Sequence, residues 1–287
     1  MKNLLVMLLT ILPAVCFAQD KPAYQLFDRQ GNRVEYSQMV QQSLQSKVVL
    51  FGELHNNPIV HWLQLELTKD IYQAAPDYLA LGAEMLEADN QLILSEYVSG
   101  VIPENNFLAE ARLWNNHQTD YQPLVDFAKA NNLPFIATNI PRRYAALVNR
   151  QGFEALEQLS PEARSYIAPL PIAYDSSLPG YKAMMQMEGM PAHVSQNLPK
   201  AQAVKDATMA HFILMNLNPE GIFLHFHGAY HSNNDEGIVW YLHQKDKELT
   251  ILTISTVEQE QVETLEPDHA GLADIIIVTP STMTKTY

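Results

Sequence analysis

Four segments of this chain carry ionisable residues just past apolar, strand-like runs. They are Gly52-Glu53-Leu54-His55, Gly82-Ala83-Glu84, the stretch His225 to His231 that passes through Gly228, and Thr138-Asn139 leading into Pro141-Arg142-Arg143. If the runs are parallel strands of one sheet, all four segments meet at the carboxyl edge, where open α/β sheets bind their ligands. Two carboxylates, two imidazoles and a guanidinium gathered there need partners, because burying charge without compensation is costly. Glu53, His55 and His231 form a donor set for a divalent metal, with Glu84 as fourth ligand or base. Alternatively, His55 or Glu53 is a general base and Arg142 stabilises an oxyanion. A hydrogen-bonded network that only holds the loops is the third reading. Gly52 and Gly228 suit tight turns or close backbone approach at these positions.

The remaining histidines say less. His61 falls early on the helix after the first strand and either reaches the crevice or caps its wall. His225 and His227 share one strand face, opposite Leu224 and Phe226, and read as packed core histidines. His117, His211, His243 and His269 have no evident partners. The chain contains no HExxH, GxSxG, P-loop or GxGxxG signature.

The elements that must position these residues follow from periodicity. Lys47 to Gly52 is a short β-branched run ended by glycine, read as a buried parallel strand. Asn57-Pro58 then supplies an N-cap and a first-turn proline, and Ile59, Trp62, Leu63, Leu67 and Ile71 recur at helical spacing. The same alternation gives strands at 78–84, 133–138, 222–226, 249–255 and 274–278. Helices fall near 91–98, 121–130, from Pro141 onward, 201–217 and 237–244. This order predicts an α/β fold: a mainly parallel central sheet flanked by helices. Residues 152–200 break the rhythm with six prolines from Pro161 to Pro199 and no strand pattern. They read as a smaller all-helical subdomain inserted into an α/β domain made of 19–151 and 201–287.

That insert suggests a second chemistry. Tyr166, Tyr174, Tyr181 and His193 are interspersed with Met184, Met185, Met187 and Met190. Tyrosine and histidine are haem-iron ligands, and methionine-rich surfaces are apolar and adaptable. Lys182 or Arg164 offers a charge for a propionate. The competing reading is a small methionine core.

Residues 1–18 read as a cleaved secretory signal: Lys2, an apolar run from Leu4 to Val15, and a small-residue end at Ala18. Export to the periplasm or outer membrane is expected. The only cysteine, Cys16, lies inside this segment. A lipid-anchored Cys16 is the alternative to a soluble product, although Val15 fits a lipobox poorly. The formal net charge is −14, and loss of Lys2 makes it −15. That argues against nucleic acid as a partner and against docking to anionic lipid.

The blocks GELHNNPIVHWLQ, LGAEMLEADNQ, YVSGVIPENNF, YQPLVDFAKANNLPFIATNIPRRYA, QAVKDATMAHFI and HFHGAYH, in this order, resemble those of the ChaN-like haem-binding family. That family belongs to the wider group of Tiki proteases, TraB proteins and erythromycin esterases. The resemblance runs from about Lys47 to Leu242. It implies a parallel sheet with a smaller helical domain and haem binding in iron acquisition. It also implies a homodimer enclosing stacked haems, with a tyrosine from one subunit on iron and a histidine from the other, and outer-membrane haem uptake machinery as a partner. Tyr174, Tyr181 and His193 are the candidates that residue chemistry offers for those ligands. In the wider group the crevice is catalytic, and Glu53, His55, Glu84, Arg142 and His231 match the positions that carry metal or hydrolytic chemistry. The alternative function is therefore a metal-dependent hydrolase acting on an ester or peptide bond.

Overall fold

The structure, a computed structural model, describes residues 20–185 and 196–287. The expected signal segment and His193 lie outside the described residues.

One eight-stranded sheet organises the fold, in the order β2-β1-β8-β7-β3-β6-β4-β5. The strands are β1 (Gln25–Asp28), β2 (Arg33–Val34), β3 (Val48–Glu53), β4 (Leu79–Glu87), β5 (Phe135–Asn139), β6 (Ile222–Gly228), β7 (Ile251–Gln259) and β8 (Ile275–Pro280). The run from β8 to β5 is parallel throughout. β1 and β2 add an antiparallel edge beside β8. This edge has no counterpart in the sequence reading. Its strands are short, and Leu26 and Phe27 are buried on opposite faces, so neither alternation nor a long apolar run marks them.

Alternation along the central strands sends side chains to two packed layers. Val49 and Phe51 of β3 join α1 (Tyr36–Gln45), α2 (Pro58–Ala74), α3 (Gln91–Val98), α4 (Glu104–Glu110) and α5 (Gln122–Asn131) on one face. Val48 and Leu50 face α6 (Arg142–Gln151) on the other. The helices that we label α9 (Leu198–Asn216) and α10 (Ile238–Lys245) complete that layer. The sheet is thus covered on both sides, which is why its central strands are buried along their length and mostly apolar. The described part of 152–200 carries no strand. It contains α7 (Pro161–Arg164) and α8 (Pro179–Met184). Its Leu156, Ile167, Ala168 and Ile172 enter the same apolar cluster as α6, α9 and α10.

The carboxyl edge of the sheet opens at its centre. β3 and β6 stay paired as far as Glu53 and Gly228, whereas β4 leaves β6 after the Ala83–Phe226 pair. Glu84 is the next residue. Gly52 sits where β3 runs closest to its surroundings: a β-carbon there would meet the Ala229 Cα at 2.8 Å and the Ile254 carbonyl oxygen at 2.9 Å. Both are backbone atoms that cannot swing aside. Gly52→Ala is therefore expected to destabilise the protein by about 1–3 kcal/mol, the usual range for overpacking. Urea unfolding checks this, and an unchanged midpoint would contradict it.

Candidate functional site

The odd positions of β3 point toward α2, so Glu53 is delivered to that face. It is 1% exposed. Its Oε1 accepts hydrogen bonds from the Tyr121 hydroxyl at 2.7 Å and His55 Nδ1 at 2.8 Å, and its Oε2 accepts from the Gln64 amide. Burial pushes the Glu53 carboxyl up, but the His55 hydrogen bond and nearby positive charge outweigh it and hold it below the ordinary range. His55 is raised in turn: burial works against its charge, and the Glu53 bond and the charges of Glu84 and Glu53 prevail. The loop that carries His55 is fixed from behind. Asn57 caps α2 by accepting from Val60 N, and His61 and Asn116 both bond to the His55 carbonyl. His61 thus supports the crevice wall, packed edge-on against Tyr121 at 5.2 Å.

Glu84 points to the opposite face, toward α9. Its Oε2 accepts from Gly228 N at 2.9 Å, and its Oε1 faces His231 Nε2 at 3.1 Å. The other ring nitrogen of His231, Nδ1, bonds to Asp206 of α9. Asp206 also accepts from the Tyr181 hydroxyl at 2.7 Å. With a carboxylate on each ring nitrogen, both nitrogens act as donors and the ring is an imidazolium. Burial alone would lower its pKa, but Glu84 and Asp206 raise it to about 9. Glu84 is correspondingly held well below its ordinary value, burial being outweighed by His231 and by the charge of Lys205.

The two clusters meet at Gly228, where a β-carbon would lie 2.8 Å from His55 Nε2 and 3.6 Å from Glu84 Oε2. His55 is the partly open member, with its side chain 33% exposed and its ring 4.8 Å from that of Trp114.

The structure brings Glu53, His55, Glu84 and His231 together as the sequence implies, but not as a metal cage. Among the described residues, no three His, Cys, Asp or Glu side chains are arranged to hold a metal ion. The expected Glu53–His55–His231 set is split, because Glu53 serves His55 while His231 is locked between Glu84 and Asp206. Those donors do not fit a resident divalent metal. Arg142 is also displaced from its expected place. It is the first residue of α6, exposed on the rim of an adjoining cleft, and not among the buried carboxylates.

Of the proposed haem ligands, Tyr174 is half-buried, with the rings of Phe153 and Tyr181 each at 5.6 Å. Tyr181 is 3% exposed, and its hydroxyl belongs to the Asp206 network. That leaves it off any surface where a subunit could share it. His225 and His227 are core histidines, bonded to Thr138 and Ser232. Burial first, and then neighbouring histidine charge, keep both neutral, with His227 lowered to about 3.

Sequence reasoning missed Asp206, Tyr121 and Gln64. Asp206 left a signal: it is an acid in the small-residue helical stretch Ala203-Val204-Lys205-Asp206-Ala207. Tyr121 and Gln64 look like ordinary helix residues.

The His231 pKa has a consequence for stability. A group raised on folding contributes stability that is fully present below its unfolded value, near 6.5, and lost as pH rises through the folded value. The window is therefore about pH 6.5 to 9, with a loss on the order of 3 kcal/mol across it. Thermal unfolding should weaken across this window. In Asp206→Asn the slope should flatten and the His231 imidazole resonance should titrate at least about one pH unit lower. An unshifted titration would disprove the pairing.

Comparisons with known proteins agree with this fold. No protein of curated function matches the sequence closely enough to count. Among solved structures, one described as "Cofacial heme binding to ChaN of Campylobacter jejuni" superposes with a TM-score of 0.69 at 15% identity, covering 90% of this chain and 97% of that one. A Bacillus cereus protein gives 0.50 at 11% identity, covering 85% and 90% of the two chains. A succinoglycan biosynthesis protein also gives 0.50, at 10% identity over 88% and 94%. The family described as "Haem-binding uptake, Tiki superfamily, ChaN" matches residues 39–242, most of the sequence, and the chain belongs to that family.

Proposed function

We propose that this protein binds haem as part of haem or iron acquisition outside the cytoplasm, with the 152–200 segment as the haem-holding element and two subunits sharing the ligand. The observation that carries this reading is family membership across residues 39–242, a span that includes the whole helical segment. The local chemistry is compatible. Tyr174 makes no side-chain hydrogen bond among the described residues, lies against Phe153, and is close in sequence to Met185, which is 54% exposed. Burial, and secondarily Asp175, raise the Tyr174 hydroxyl, so it stays protonated until a ligand draws the proton away. Bound haem would supply a flat apolar face and a ferric centre for a phenolate. His193 is the proposed partner ligand, and outer-membrane haem uptake machinery the proposed partner. Hemin titration of the protein lacking residues 1–18 should give a saturable Soret shift and earlier elution on gel filtration. Tyr174→Phe should weaken binding at least about tenfold, the equivalent of about 1.4 kcal/mol. A non-saturating response in the parent protein would end this reading, and an unchanged spectrum in the variant would remove Tyr174 from it.

The Glu53–His55 pair favours a second activity, hydrolysis without the metal expected from sequence. Glu53 holds the proton on His55 Nδ1, which leaves Nε2 to take a proton from a water. Screening ester substrates against the protein and His55→Ala tests this. Turnover abolished in the variant supports it, and equal turnover in both attributes the activity to something else.

A further inference from the structure

Past the end of β8, residues 281–287 form no regular element, yet they follow a defined path. They cross the carboxyl edge in the order of the sheet, from β8 over β7 to β3. Ser281 N donates to the Gln259 carbonyl at the end of β7 at 2.9 Å, and Met283 N donates to the Pro280 carbonyl at 3.1 Å in a turn. Lys285 forms an ion pair with Glu258 of β7. Thr286 N donates at 3.0 Å to the carbonyl of Asn56, the residue after His55. Tyr287 then lines a cleft of about 540 Å³ together with Trp114, Asn116 and Lys205. Trp114 is the residue whose ring lies 4.8 Å from that of His55. Open α/β sheets receive ligands at this edge, so the segment lies across the way in. With it in place the His55 side chain is 33% exposed. Burial first, and then the charges of Glu53 and Asp120, raise the Tyr287 hydroxyl, as expected of a phenol at the mouth of an acidic crevice.

The hold on the segment is weak. Beyond the turn, its polar ties among the described residues are one backbone hydrogen bond and one ion pair with side chains 29% and 21% exposed. Tyr287 is 68% exposed, so packing adds little. Thr286 Oγ1 is buried without a partner, an unfavourable state that release relieves. A partly exposed ion pair and a single hydrogen bond give little net stability, so the segment can leave without opening the sheet.

We propose that residues 281–287 are a strap over the mouth of the His55 crevice, and that its release from Asn56 and Glu258 admits a solute from the cleft to His55. The strap rests on neither haem binding nor hydrolysis, because its test reads the His55 ring itself.

The probe is diethyl pyrocarbonate, which acylates a neutral imidazole, followed at each histidine by peptide mass mapping. His55 is read against His243, whose ring faces the Leu249 carbonyl just before β7, at the opposite edge of the sheet. The rate is followed with pH to its plateau, so that it reports access and not titration. Lys285→Ala should raise the His55 plateau about threefold, the change in open population expected from losing a partly exposed ion pair. A chain stopped after Thr284 should raise it further. His243 should be unchanged in both. An unaltered His55 rate in the stopped chain would overturn the proposal. A rise of equal size at His243 would mean that the segment supports the fold instead of covering the crevice, and would overturn it as well.

Discussion

The carboxyl edge of this sheet depends on keeping Glu53 and Glu84 ionised at 1% and 3% exposure. Moving a carboxylate out of water is unfavourable by several kcal/mol per ion even after relaxation, so each needs a positive or donating partner at contact distance. Glu84 has its partner in an imidazolium that also serves Asp206, and Glu53 has His55, Tyr121 and Gln64. Other local features follow from this arrangement. Gly228 has no side chain because His55 and Glu84 occupy the space, and Gly237, at a φ of +53°, has none because it would strike the His231 carbonyl. Tyr181 caps Asp206 from the helical segment, so the segment and the sheet share one buried network.

That sharing explains how far the sequence could be read. The central strands were legible because buried parallel strands are apolar runs between strong helix signals. Convergence of Glu53, Glu84 and His231 followed from topology alone. Pairing within the crevice did not, since which imidazole meets which carboxylate depends on side-chain direction. Alternation sends Glu53 and Glu84 to opposite faces of the sheet, and that separates the donors a metal would need together. The same parity could have been applied to the sequence: Glu53 continues the Val49–Phe51 face, whereas Glu84 lies out of phase with Leu81 and Ala83. Asp206 was harder, because its role appears only once α9 is laid across the end of β4. The β1–β2 edge was illegible for a simpler reason, its length.

The histidines of this one chain offer an internal control for function. His225 and His227 show what structural histidines become here: fully buried, neutral, and bonded to hydroxyls. His231 departs from that pattern by holding a charge, which a packing role does not require, since replacing buried ion pairs with apolar groups is often neutral or stabilising. His55 departs further. It is partly open, oriented by a buried carboxylate, and set against a tryptophan at the mouth of a cleft. A network built only to hold loops would have no use for an oriented, partly accessible imidazole at the mouth of a cleft. Those features together suit a ligand that arrives from solvent and meets His55 last. Haem binding through the helical segment, as proposed, would leave this edge of the sheet free, so the crevice would be a second, separate capacity of one fold.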